Sequence, residues 1–191
     1  SFPEFIYQTE SGVMSVHIHP QHPSMIAVGL YDGSVQVYNI SKIVQVINPT
    51  IYEKAKTDQP VFKSSRKSGG KHTDPVWQVC WQKDDLDENL VFFSVSSDGR
   101  VIQWTLLKNE LLHTVRNFVF IYCLDVVSLK YEHTASEEGL PEDEKLFSLA
   151  GGVCFDFHKK SDHLFVVGTE EGCIYKCSKE YSSEHLLSFL V

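Results

Sequence analysis

Between His72 and Leu106 short apolar runs alternate with polar turns. Val76, Val79 and Trp81 fall in one run, which ends in the polar stretch QKDDLDEN. Leu90 to Val95 is continuously apolar, SSDG follows, and Val101, Ile102 and Trp104 form a third run. Runs of five or six residues rich in β-branched and aromatic side chains are strand-length rather than helix-length. In SSDG, Asp98 can accept bonds from its own backbone and Gly99 can take a positive φ, so a tight turn is predicted there. The same pattern occurs twice more. Early in the chain it reads Val13–Ile18, a turn over His19-Pro20-Gln21-His22-Pro23, Met25–Leu30, the turn Tyr31-Asp32-Gly33, and Ser34–Tyr38. Late in the chain it reads Val153–Phe157, Lys159–Asp162, Leu164–Gly168, Glu170-Glu171-Gly172, and Cys173–Cys177.

Each unit is a set of short strands closed by an acidic-Gly turn, with Trp104 six residues after Asp98 and Tyr38 six after Asp32. This resembles the repeat of a WD40 β-propeller blade. The expected fold is all-β: a propeller segment of about three four-stranded antiparallel blades spanning residues 1–191. The repeats are placed at about 12–40, 72–106 and 152–178. The turn glycines are spaced by 66 (33 to 99) and 73 (99 to 172), more than the roughly 40–45 residues of such a repeat. Insertions are therefore expected at about 41–71 and 109–150. A closed ring needs roughly four to eight blades, so an incomplete ring with uncovered apolar faces is expected; the start at Ser1 fits a segment.

The first insertion reads as a solvated loop ending in the basic stretch Lys63 to Lys71, with an acidic partner as the other reading. GGKH is not a phosphate loop, because His72 stands where a Ser or Thr must meet the metal. In the second insertion, Val115 to Leu129 should add an outer strand, and the acidic half, Ser136 to Lys145, should be exposed and mobile. Ser182 to Val191 fits either an outer strand or a short helix.

Composition narrows the function classes. With 42% apolar residues the chain can bury a core, and its net charge of −8 opposes a nucleic-acid footprint. No apolar run reaches the length of a membrane span, and no secretory leader is legible. Five cysteines without framework spacing suit a reducing compartment. Asn39-Ile40-Ser41 matches a glycosylation acceptor but would not meet the enzyme in the cytoplasm.

His72, Ser94 and Asp98 are the residue types of a hydrolase triad. No G-x-S-x-G elbow surrounds Ser94, however. The blade resemblance implies instead a structural hydrogen-bonded network of His72, Ser94, Asp98 and Trp104. The first repeat keeps only Asp32 of that set and the third only Glu171, so their networks should be incomplete. His17, His19 and His22 have loose metal-like spacing but no carboxylate or cysteine close in sequence, so they read as surface and turn histidines. Cys173 and Cys177 lie four residues apart on one strand face, about 13 Å by strand rise, too far for a disulfide. They read as small core residues. No catalytic residue, metal or cofactor is expected.

Three longer stretches carry a more specific resemblance: KSGGKHTDPVWQVCWQKDD, NLVFFSVSSDGRVIQWTL and FDFHKKSDHLFVVGTEEGCIYKCSKEYSSE. Together with SGVMSVHIHPQHPSMIAVGLYDGSVQVYNI they resemble the WD-repeat region of axonemal outer-arm dynein intermediate chains. The resemblance implies a non-catalytic scaffold subunit of a microtubule motor, located in the cytoplasm and cytoskeleton of the ciliary or flagellar axoneme. The implied partners are the dynein heavy chain tail, a second dynein intermediate chain and other axonemal dynein subunits. The family's light-chain-binding region is not matched and is not carried over. The partner surface is expected on loops such as Asp84 to Glu88 and on Lys63 to Lys71. Two other readings stay open, a general WD40 interaction scaffold (a ubiquitin-ligase or intraflagellar-transport adaptor) and a propeller hydrolase.

Overall fold

The fold, seen in a computed structural model, is described over residues 6–40, 59–66, 70–108, 118–132, 147–179 and 187–190. It is all-β and antiparallel, and the sheets do not close into a ring. The first sheet runs β1 (Val13–Ile18), β2 (Met25–Leu30), β3 (Val35–Asn39) and β4 (Phe62–Lys63), in that spatial order. The second runs β5 (Val76–Trp81), β6 (Leu90–Ser96), β7 (Arg100–Lys108) and β8 (Phe118–Ser128). A two-stranded ribbon pairs β9 (Lys130–Glu132) with β10 (Phe147–Leu149). The third sheet runs β11 (Gly152–Phe157), β12 (Leu164–Thr169), β13 (Cys173–Ser178) and β14 (Leu187–Leu190).

Local chemistry places the turns. Gly33, Gly99 and Gly172 have φ of 80°, 75° and 81°, which glycine adopts at no steric cost. In the first two turns the acid before the glycine organises the backbone: Asp32 accepts from the Ser34 N–H at 3.0 Å and Asp98 from the Arg100 N–H at 3.0 Å. The first strands of the three four-stranded sheets, β1, β5 and β11, each carry a register irregularity near their start, between Val13 and Ser15, Val76 and Gln78, and Gly152 and Cys154.

Packing follows the period-2 alternation of strands. The second sheet lies between the other two, which is why β6 is buried at every position. One of its faces sends Leu90, Phe92, Ile102 and Trp104 against Met25, Ala27, Val35 and Val37 of the first sheet. The other sends Val91, Phe93, Val95 and Val101 against Phe155, Phe165, Val167 and Tyr175 of the third. A continuous apolar run was therefore needed to serve two neighbours at once. The sheets approach closely where glycine allows it. A Cβ on Gly29 would lie 2.7 Å from a Val76 methyl. On the far face of the third sheet Val166 and Ile174 remain exposed, as do Val13, Val16 and Ile18 on β1.

One expectation needs correction. The first insertion is not a solvated loop throughout, because Phe62–Lys63 forms the outer strand of the first sheet. Val61 and Phe62 pack on the core, and buried Ser64 accepts the Val35 N–H at 2.8 Å. Two apolar residues beside a proline give too short a run to announce a strand. The ribbon β9–β10 also lacked a signal. Its Leu149 side chain and the Ala150 carbonyl close over Gly99, and Leu129 donates its N–H to the Gly99 carbonyl. Within 115–129 an outer strand does form, β8, and within 182–191 the structure is a strand, β14. Residues 41–58, 109–117 and 133–146 lie outside the described residues, so the acidic stretch 136–145 receives no structural account.

Trp104 is fully buried, stacked on Phe92 with ring centroids 5.9 Å apart and tilted against Phe62 at 5.8 Å. Trp104→Ala should cost about 3–5 kcal/mol as a large-to-small change at a packed site. Chemical denaturation of the two proteins would measure it.

Candidate functional site

Ser94 sits mid-strand in β6 with no exposure, so its hydroxyl must find partners inside the protein. It has two. The Trp104 indole N–H donates to Ser94 Oγ at 2.8 Å, and Ser94 Oγ lies 2.8 Å from His72 Nε2. The other ring nitrogen, His72 Nδ1, is 2.9 Å from an Asp98 carboxylate oxygen. A carboxylate only accepts, so the proton is on Nδ1 and Nε2 is left to accept from the serine hydroxyl. The chain then reads in one direction: Trp104 to Ser94 to His72 to Asp98, each donor matched to an acceptor.

Asp98 is also held by the Thr73 N–H at 3.1 Å and the Arg100 N–H at 3.0 Å. Burial pushes its pKa up, and the hydrogen bonds from His72, Thr73 and Arg100 outweigh that, leaving it below the ordinary 3.8. Four residues from β6, β7, the preceding connection and the turn are thus pinned to one another.

The geometry Ser–His–Asp is that of a nucleophile, base and orienting acid, but the chemistry is blocked. Ser94 and His72 are buried and Ser94 already receives the indole proton. In the first sheet, Asp32 binds Ser34 through both its N–H and its hydroxyl (2.7 Å) and pairs with Lys71 at 2.8 Å. In the third, Glu171 accepts the Gly151 N–H at 3.0 Å. Neither reaches a histidine. Buried Cys173 and Cys177 are free thiols on the packed face of β13, and burial pushes the Cys177 thiol up to about 12.

His19 and His22 are turn residues as expected, but His19 does not lie at the surface, which corrects that part of the reading. His19 is fully buried, and its Nδ1 accepts the N–H groups of Gln21 (3.2 Å) and His22 (3.0 Å), capping the turn after β1. His17 Nδ1 accepts the Trp81 N–H, and the His17 carbonyl accepts the Trp81 indole N–H, each at 3.0 Å. Asp84, which sequence placed on an outward loop, turns back to within 3.3 Å of His19 and 3.5 Å of His22. No local spacing could have announced this, because the carboxylate comes from a different repeat. Sequence also missed Gln78, whose amide bridges to the next sheet by donating to the Phe155 carbonyl (3.0 Å) and accepting its N–H (2.8 Å).

The rest of the Asp84–Glu88 loop is ordered and outward. Asp85 accepts from Asp87 N–H, Asn89 N–H and the Asn89 side chain, while Leu86 at its tip is 104% exposed. At the opposite rim, Trp77 donates to Ser97 at 2.6 Å and Ser97 to Glu170 at 2.5 Å, tying the second sheet to the third. Part of the basic stretch, 67–69, lies outside the described residues.

Comparison with known proteins agrees with this architecture. Residues 3–39 match the family described as WD domain, G-beta repeat. Over 190 residues the chain is 54% identical to ciliary dynein intermediate chain 2 of Heliocidaris crassispina, covering 99% of this chain and 23% of that one. It is 50% identical to dynein axonemal intermediate chain 1 of Mus musculus over 97% of this chain and 23% of that one. It is 41% identical to the 78 kDa intermediate chain of the flagellar outer arm of Chlamydomonas reinhardtii, covering 100% of this chain and 24% of that one. The chain therefore spans about a quarter of the length of these curated relatives. Among solved structures, the computationally designed Ika8 protein matches 95% of this chain and 37% of its own, with a TM-score of 0.51 at 15% identity, a likeness of fold alone.

Ser94→Ala should destabilise the protein by about 1–3 kcal/mol for each buried partner it strands, the Trp104 indole and His72 Nε2. Asp98 adds a pH dependence. Its folded pKa lies below 3.8, so its contribution is present above that value and lost as pH falls through the lowered folded value. Asp98→Asn should be less stable at neutral pH and flatter in acid. Urea midpoints between pH 7 and pH 2.5 would test both statements.

Proposed function

The chain is homologous, over nearly all of its residues, to one segment of the axonemal dynein intermediate chains, and from that premise we propose that it serves as a non-catalytic scaffold within an axonemal dynein. The observation that carries this reading is identity of 50% or more to ciliary and axonemal intermediate chains across 97–99% of this chain. In this reading its three blades are part of a propeller that grips the dynein heavy chain tail, beside a second intermediate chain and other axonemal dynein subunits. The complex supports ciliary or flagellar beating.

Two physical features support a scaffold over an enzyme. The Ser94–His72–Asp98 arrangement is spent on joining strands, so its serine is unavailable as a nucleophile. The rims, by contrast, offer ordered loops, of which Asp84–Glu88 presents Leu86 on a turn braced by Asp85. An apolar side chain held out on a rigid turn loses little entropy when a partner covers it.

Immobilised protein incubated with ciliary extract tests the proposal. The expected outcome is retention of an axonemal dynein heavy chain together with a second intermediate chain. Retention of ubiquitin-ligase or intraflagellar-transport components without dynein would move the function to the adaptor class.

A further inference from the structure

His17 and His19 line the joint between the first and second sheets, and the Gln78 amide bridges the second and third. Imidazoles take up protons in the near-neutral range and an amide does not. At the first seam, His17 Nδ1 accepts the Trp81 N–H and so ties the two sheets directly. His19 Nδ1 takes two backbone N–H groups, from Gln21 and His22, and its ring rests on Trp81 with centroids 4.8 Å apart. Both rings therefore hold their lone pair on Nδ1 and their proton on Nε2. At the second seam the corresponding link is the Gln78 amide on the Phe155 backbone, which does not titrate.

We propose that the joint between the first two sheets is a proton-sensitive latch, closed while His17 and His19 are neutral and loosened when either takes up a proton. The reason is geometric. A proton added at Nδ1 of His17 would point at the Trp81 N–H, and one added at Nδ1 of His19 would point at two N–H groups. Donor would face donor, so the turn after β1 and the bond to Trp81 would have to open.

The charges around the pair decide the sign. Burial lowers the pKa of His17 from the ordinary 6.5. For His19 burial is again the leading cause, His22 and His17 add to it, and Asp84 opposes it; the net direction is down. Asp84 would favour a charged His19, but its Oδ1 and His19 Nε2, both buried, face each other at 3.3 Å without completing a hydrogen bond. His22 shares the same carboxylate at 3.5 Å. Lys83, next along the loop, is turned to Asp162 of the third sheet. Cys80, beside Trp81, has a thiol pKa raised by burial and by Asp156, so it stays neutral in this range. Because both folded pKa values lie below 6.5, the latch contributes fully above that pH. The contribution is lost as pH falls from 6.5 toward the lowered values.

Amide hydrogen exchange on the whole chain separates the two seams. From pH 7.5 to 5.5 the protection factor of the Trp81 amide should fall, by up to about tenfold for each histidine that takes a proton on opening. That of the Phe155 amide, bonded to Gln78, should change less than about twofold, since no linked group titrates there. His17→Asn and His19→Asn place an amide oxygen where each Nδ1 accepts and should remove the pH dependence at Trp81. Unchanged protection at Trp81, or an equal fall at Trp81 and Phe155, would overturn the proposal. So would a pH dependence that survives in the folded double variant; should that variant not fold, the comparison of the two amides in the unaltered protein decides by itself.

Discussion

Placing a serine in the middle of a strand that is buried on both faces is the constraint on which the second sheet depends. Ser94 cannot reach water, so its hydroxyl must find an acceptor for its proton and a donor for its oxygen inside the protein. Trp104 and His72 supply the match, and Asp98 fixes which nitrogen of His72 is free to accept. The same carboxylate holds the turn through Arg100 and the incoming chain through Thr73. Local turn, strand register and the connection into β5 are thereby made one cooperative unit. Residues arranged like a catalytic triad serve this end because they can form an uninterrupted donor–acceptor series.

Around that unit the molecule is a stack of three sheets whose outer members are less complete. The first sheet replaces the histidine chain with Asp32, Ser34 and Lys71, and the third with Glu171 on a backbone N–H. Each of these turns is held at the surface rather than through the core. The second sheet is covered on both faces by its neighbours and supplies the large ring cluster of Trp81, Phe92 and Trp104, while Val28, Leu30 and Tyr38 form a smaller buried cluster on the other face of the first sheet. Stability is therefore concentrated in the middle, while exposed Val16, Ile18, Val166 and Ile174 lie on the outer members.

The seams between sheets carry different chemistry even though the packing is alike. Aliphatic and aromatic contacts make both, but the polar links across them include histidines at the first seam and, at the second, the Gln78 amide and the Ser97–Glu170 bond. Links of this kind matter beyond their number, because sheet-on-sheet hydrophobic contact is nearly non-directional and can slide. A bond to a named backbone N–H cannot.

The alternation of apolar runs with acidic-Gly turns was enough to place β1–β3, β5–β7 and β11–β13, because strand period and turn conformation are local properties. The set at 72, 94, 98 and 104 was implied by the resemblance to a WD40 blade, and all four residues lie within one repeat. The outer strand β4 and the ribbon β9–β10 were not legible, since a two- or three-residue strand has no period and is stabilised by the edge it joins. Nor could the sequence show that His19 is buried and that Asp84 turns inward to meet it. Those positions are set by the packing of one sheet on another, which brings together side chains from separate repeats. Local pattern decided the strands and their turns; only the tertiary structure decided which polar groups face each other across the seams.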